Sequence, residues 1–147
     1  MPAKNVIKPY VAQGVYHVYN RGVNKEDIFL DEQDYRVFLS YIVTALTPKD
    51  EKKLTAVAFD ESRSYKERRE ATRLLRLKNF TGKIDLLAYV LMPNHFHFLL
   101  KQEGETDMSA FVQAIMTRFT MYENRRYKRV GPVFQGVYKA VLITDDA

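Results

Sequence analysis

Between Ile84 and Lys101 the chain has little choice but to form a β-hairpin. Ile84 to Met92 is a nearly continuous apolar run, Pro93-Asn94 supplies turn chemistry, and His95 to Lys101 is a second run. Successive side chains of a strand point to opposite faces. Phe96 and Phe98 therefore share the core face, and His95 and His97 share the other. The chain has only 3 histidines, and two of them stand on one strand face beside a turn. Spacing alone leaves two uses open. Imidazole is a common metal ligand, but two ligands do not complete a site, and a pair can serve only as hydrogen-bonding groups.

The remaining elements follow from their periods. Gly14 to Arg21 alternates and is rich in aromatic and β-branched residues, which predicts a strand ending at Gly22. Asp31 is placed to cap a helix, with Asp34 at the capping-box position and Tyr35, Phe38, Leu39, Ile42, Val43 and Leu46 at helical spacing. From Pro48 to about Gly82 the pattern loosens around Arg63, Lys66, Arg68, Arg69, Arg73, Arg76 and Lys78, which reads as an insertion carrying a basic helix. Thr106 or Asp107 caps a helix with the stripe Met108, Phe111, Val112, Ile115, Met116 and Phe119, ended by Gly131-Pro132. Val133 to Ile143, interrupted by Gly136, predicts the last strand. The order β-α-(insert)-β-β-α-β predicts an α+β, ferredoxin-like split βαβ sandwich, an antiparallel sheet with helices on one face. In it the first strand and the histidine strand are central neighbours, and the open sheet face carries the site.

A length of 147 residues suits a single domain, with the segment at 48–82 as an insertion. The absence of cysteine excludes disulfides, thiolate zinc sites and cysteine nucleophiles. No apolar run reaches a membrane span and no signal-peptide core follows Met1, so a cytoplasmic protein without a membrane partner is expected. A net charge of +5 favours a polyanionic partner, with nucleic acid the leading class. Arg118, Arg125, Arg126, Lys128 and Arg129, with Lys139, form the densest positive region, and Tyr122 and Tyr127 interleave it. That composition suits phosphate neutralisation and base stacking, although a charged helix flank is more often merely solvated. Asn20 and Arg21, ending the first strand, are placed to read base edges or hold a folded hairpin. His17 reads as a sheet residue rather than a third ligand.

Three stretches, taken together and in order, resemble the single-tyrosine HUH transposases of the IS200-like and REP-associated group. They are Tyr16-His17-Val18-Tyr19-Asn20-Arg21-Gly22, Met92-Pro93-Asn94-His95-Phe96-His97 and Gly131-Pro132-Val133-Phe134-Gln135-Gly136. The resemblance spans the chain apart from the insertion. It implies that His95 and His97 bind a divalent cation, Mg²⁺ or Mn²⁺. It also implies single-stranded or hairpin DNA as substrate, cleaved and rejoined through a 5′-phosphotyrosine link, and a possible homodimer.

In that family the attacking tyrosine and a further polar ligand lie on a helix after the last strand. The resemblance therefore implies a nucleophile beyond Ala147, with Tyr122 and Tyr127 as packing, stacking or phosphate-contacting residues and Tyr138 as structural. Other readings differ in what they require. A non-cleaving hairpin-binding remnant keeps DNA affinity alone. An RNA-binding module of the same topology needs no metal. A metallohydrolase would add the Asp145-Asp146 pair to the two histidines.

Overall fold

Alternation decides which side of each strand is covered. The computed structural model describes residues 10–144. Along β1 (Val15–Arg21), Tyr16, Val18 and Asn20 are buried while His17 and Tyr19 are only half-buried. Along β3 (His95–Gln102), Phe96, Phe98, Leu100 and Gln102 are buried, and His95, His97, Leu99 and Lys101 take the opposite side. β1 and β3 pair antiparallel, with Val18 opposite Phe98 and Tyr19 opposite His97. β2 (Ile84–Met92) adds to the outer side of β3, and β4 (Lys139–Leu142) to the outer side of β1, giving the order β2-β3-β1-β4. The α+β architecture and the central pairing of the first and histidine strands are as expected.

Helices α1 (Glu32–Leu46) and α4 (Asp107–Arg126) cover the phenylalanine face. Phe38 of α1 lies 5.5 Å from Phe96 and 5.1 Å from Phe119 of α4 between ring centroids, and Phe98 meets Phe111 at 6.3 Å. Each ring is essentially inaccessible to water, so each contributes about 1.5–3 kcal/mol of burial. Among the described residues no helix lies on the histidine face, and Val90, Met92 and Val141 are exposed. Among the described residues no helix is long and apolar enough to cross a membrane.

The predicted insertion holds two helices rather than one, α2 (Glu51–Ala58) and α3 (Tyr65–Arg76). The break falls where Ser64 accepts from the Glu67 backbone and Glu67 reaches back to Ser64, a reciprocal cap that starts a new helix. The unit is tied to the end of α1 through Lys49, which donates to the carbonyls of Leu75 and Leu77, and through Phe80 N–H, 2.7 Å from Ala45 O.

The last strand is shorter than its apolar composition predicts. Val133 and Phe134 are buried in the core, and Gly136 adopts φ +68°, which takes the chain off the sheet plane. Only a single bridge, Gly22 to Phe134, precedes the ladder at Lys139. The α4 helix also stops early. Lys128 takes φ +50° and Arg129 N–H bonds back to Asn124 O, so Lys128 and Arg129 lie beyond the helix and not along its flank.

A polar clasp joins α1 to α4. Asp31 caps α1, and the fully buried Asp34 carboxylate accepts from Leu30 N–H (2.9 Å), Tyr122 (2.7 Å), Tyr127 (2.7 Å) and Arg126 (2.6 Å). Burial pushes the Asp34 pKa up. The bonds from Tyr127, Leu30, Tyr122 and Arg126 outweigh it and hold the carboxyl below the usual range.

Glu123, also buried, has an Oε1 with no partner. Burial, reinforced by the Asp34 charge, pushes its pKa up to about 8. A native pKa above the unfolded value contributes stability that is full below about 4.5 and lost as pH rises through about 8. Glu123→Gln is expected to shrink the difference in unfolding free energy between pH 5 and pH 9 by on the order of 3 kcal/mol. Urea unfolding across that range measures it.

Candidate metal and nucleic-acid site

The hairpin tip is built to hold His95. Gly22 N–H bonds to Asn94 O at 2.8 Å, and Ile28 and Phe29 N–H both reach Pro93 O, at 2.8 and 3.0 Å. The segment after β1 is thereby strapped over the turn. A Cβ at Gly22 would collide with the Glu26 carbonyl, which explains the glycine that ends the first motif. The Asn94 amide donates to Lys25 O at 3.3 Å, which leaves its Oδ1 to accept from Nδ1 of His95 at 2.7 Å. With the proton on Nδ1, Nε2 of His95 keeps its lone pair.

The register then gathers all three histidines. His97 stands edge-on to His95 with ring centroids 5.0 Å apart, while His17 lies nearly coplanar with His97, end to end, with centroids 5.0 Å apart. Tyr19 stacks on His17 at 5.0 Å and lies 5.7 Å from His97. Burial lowers the pKa of His97, and the neighbouring His95 and His17 lower it further, so the ring stays neutral more readily than a free imidazole. Neutral imidazole is the ligand form.

His95 opens onto a cleft of about 440 Å³ lined by Tyr19, Asn20, Arg21, Lys25, Asn94, His95 and Lys139. Among the described residues three cationic side chains and no carboxylate line it, a composition suited to a phosphate. Two imidazoles side by side suit a divalent cation. Among the described residues, no group of three or more His, Cys, Asp or Glu forms a metal cage. Remaining ligands would then come from water or an anionic substrate. Asp145 and Asp146 lie outside the described residues.

The predicted DNA-contacting residues divide into two groups. Arg21 is exposed at the cleft, its Nε 2.9 Å from Gln135 Oε1. Asn20 lines the cleft but is 2 % exposed, its side chain engaged by protein partners. Its Nδ2 donates to Gly136 O (3.1 Å) and its Oδ1 accepts from Arg21 N–H (2.9 Å), fastening the 134–136 loop to β1. The cations of the α4 region are not beside the histidines, because α4 covers the opposite face of the sheet. Arg118 stacks over Tyr41 at 4.0 Å. With Arg125, Tyr122 and Arg73 it lines a groove of about 530 Å³ between α1, α3 and α4.

Arg126 and Tyr122 are committed to Asp34, and Arg129 donates to Pro132 O at 3.1 Å. Lys128 is exposed at its turn. Burial and the bonds to Asp34 raise the pKa of Tyr122 and Tyr127, so both phenols act as donors in the clasp. Tyr138 is buried and shares a 2.7 Å hydrogen bond with Ser109. Lys25 and Tyr19 are the site residues that the motif reading does not single out. The strand alternation of Tyr19 is visible in the sequence, whereas Lys25 reaches the cleft only through the strapped loop.

Three comparisons bear on this arrangement. No curated protein matches the chain. Among solved structures, the REP-associated tyrosine transposase bound to a REP hairpin shares the fold, with a TM-score of 0.58 over 97% of this chain at 15% identity. The chain spans 64% of the length of that protein. A candidate transposase from Deinococcus radiodurans aligns at 16% identity over 96% of this chain and 87% of its own, with a TM-score of 0.42. The family model described as "Transposase IS200 like" matches residues 64–145, from α3 through the paired histidines and α4 to the end of the described chain. That match covers more than half of the 147 residues, and the chain therefore belongs to the IS200-like transposase family.

Proposed function

We propose that this chain binds single-stranded or hairpin DNA across the open sheet face and forms the metal-holding part of a strand-transfer site. The observation that carries the reading is the cleft in which His95 meets Arg21, Lys25 and Lys139, with no carboxylate among the described residues that line it. His95 and His97 would hold the divalent cation, Mg²⁺ or Mn²⁺. When bound, it supplies positive charge where negative charge builds on the scissile phosphate. Arg21, Lys25 and Lys139 bind and orient the phosphates on either side, and Tyr19 offers a ring beside them.

In the family's chemistry a tyrosine oxygen bonds to phosphorus as the bond to the 3′ oxygen breaks. This leaves a 5′-phosphotyrosine and a free 3′-hydroxyl. We exclude Tyr122 and Tyr127 as the attacking residue, since both point their hydroxyls at Asp34. The Arg118 and Arg125 groove, on the other layer, is assigned as an outlying contact for the phosphates of a longer stem, with Lys128 nearby in sequence.

The test is binding of a labelled DNA hairpin with a single-stranded tail over a salt series, followed by incubation with Mn²⁺. Arg21→Ala/Lys139→Ala is expected to flatten the dependence of log K on log salt by about 1.4–1.8, the loss of two phosphate contacts. Peptide mapping of any covalent protein–DNA adduct then identifies the attacking tyrosine. An adduct formed by the 147-residue chain and abolished by Tyr122→Phe would overturn the exclusion of that residue. Binding without an adduct from any form would leave a hairpin-binding protein. An unchanged salt slope in the double variant would remove the cleft from the DNA path.

A further inference from the structure

His17 stands outside the paired-histidine motif, yet its ring is in direct contact with it. Nε2 of His17 lies 2.8 Å from Nδ1 of His97, and the two rings are within 19° of parallel. One proton occupies that nitrogen–nitrogen contact, and its position decides what the other edge of His97 offers. With the proton on His17, a neutral His97 carries its own on Nε2 and has no lone pair for a ligand. With the proton on Nδ1 of His97, Nε2 is bare. At His95 the same choice is already made, because Asn94 Oδ1 can only accept.

We propose that His17 is a positioning residue that accepts a hydrogen bond from Nδ1–H of His97, fixing the tautomer and ring plane in which His97 turns Nε2 to a divalent cation. The inference rests on the reading of His95 and His97 as metal ligands. A metal-bound histidine ordinarily donates its second N–H to a carboxylate, a carbonyl or a water. Here the acceptor is a neutral ring on the neighbouring strand, steadied by its stack on Tyr19. The choice has an electrostatic consequence. A carboxylate behind His97 would offset part of the charge of the bound cation, whereas an imidazole leaves that charge for the phosphate.

Two measurements decide it. Nitrogen-15 NMR of the metal-free protein, at a pH where the rings are neutral, is expected to show the proton of His97 on Nδ1 and that of His17 also on Nδ1. A bare Nδ1 on His97 would overturn the inference whatever the metal does. Calorimetric Mn²⁺ titration then compares the wild type with His17→Phe, which keeps a ring but no acceptor, and His17→Gln, whose carbonyl oxygen reaches about where Nε2 stood.

His17→Phe is expected to lose about 10–100-fold in Mn²⁺ affinity and His17→Gln to stay within about threefold of wild type. Wild-type affinity in His17→Phe, or an equal loss in both variants, would overturn the positioning role, the second result making His17 a ligand or a packing residue. A wild-type protein that binds no Mn²⁺ would sink the metal reading itself. The NMR measurement on that same wild-type protein would still decide where the His97 proton lies, independently of whether either variant folds.

Discussion

Asp34→Ala is expected to remove about 3–5 kcal/mol from the unfolding free energy at neutral pH, the usual cost of deleting one partner of a buried charged pair. Asp34 is fully buried and receives four hydrogen bonds, from one backbone amide, two phenols and a guanidinium. Without it, Arg126 keeps Asp31 and a 3.2 Å bond to the Tyr122 hydroxyl, and the two tyrosine hydroxyls lose their main acceptor. The sign of the pH dependence follows from the depressed carboxyl. Its contribution is present above the unfolded value near 3.8 and is lost as pH falls through the lower native one. Glu123 acts in the opposite window, so wild-type stability should peak between the two, and Asp34→Ala should flatten the acid side. Urea unfolding of both proteins at several pH values measures it, and a loss under 1 kcal/mol at neutral pH would show that the clasp contributes little net stability.

His95→Ala/His97→Ala is expected to weaken Mn²⁺ binding by at least about 100-fold, because it removes both protein donors of the proposed site. Hairpin affinity in the absence of metal should change by less than about threefold, since the phosphates are assigned to Arg21, Lys25 and Lys139. The fold should survive, because both side chains occupy the face of β3 that no helix covers. Calorimetry with Mn²⁺ and gel retardation in the presence of a chelator separate the two effects. Undiminished Mn²⁺ binding by the double variant would place the metal elsewhere.

Strand alternation and turn chemistry made the hairpin legible, and with it the side on which His95 and His97 stand. Helical periods did the same for α1 and α4. Two things stayed out of reach for identifiable reasons. The period of α4 shows that Arg118 and Arg125 lie off its apolar stripe, but not how far across the sheet they stand from the histidines. Once α4 takes the phenylalanine side, its cations are carried away from the histidines. The role of His17 depends on the β1–β3 register, which a sequence separation of 80 residues conceals. The short β4 reflects local backbone, since Gly136 at φ +68° and the Asn20 bond to its carbonyl turn an apolar stretch into a packed loop.

That separation also orders events during synthesis. β1 is the first described strand to be made and lies in the middle of the sheet, with both of its ladder partners later in the chain. At about 5–20 residues per second, roughly 4–16 seconds pass between translation of His17 and of His97. Throughout that interval the backbone of β1 lacks both of the strands that pair with it in the finished sheet. The nascent chain therefore has no assembled histidine cluster until β3 has emerged.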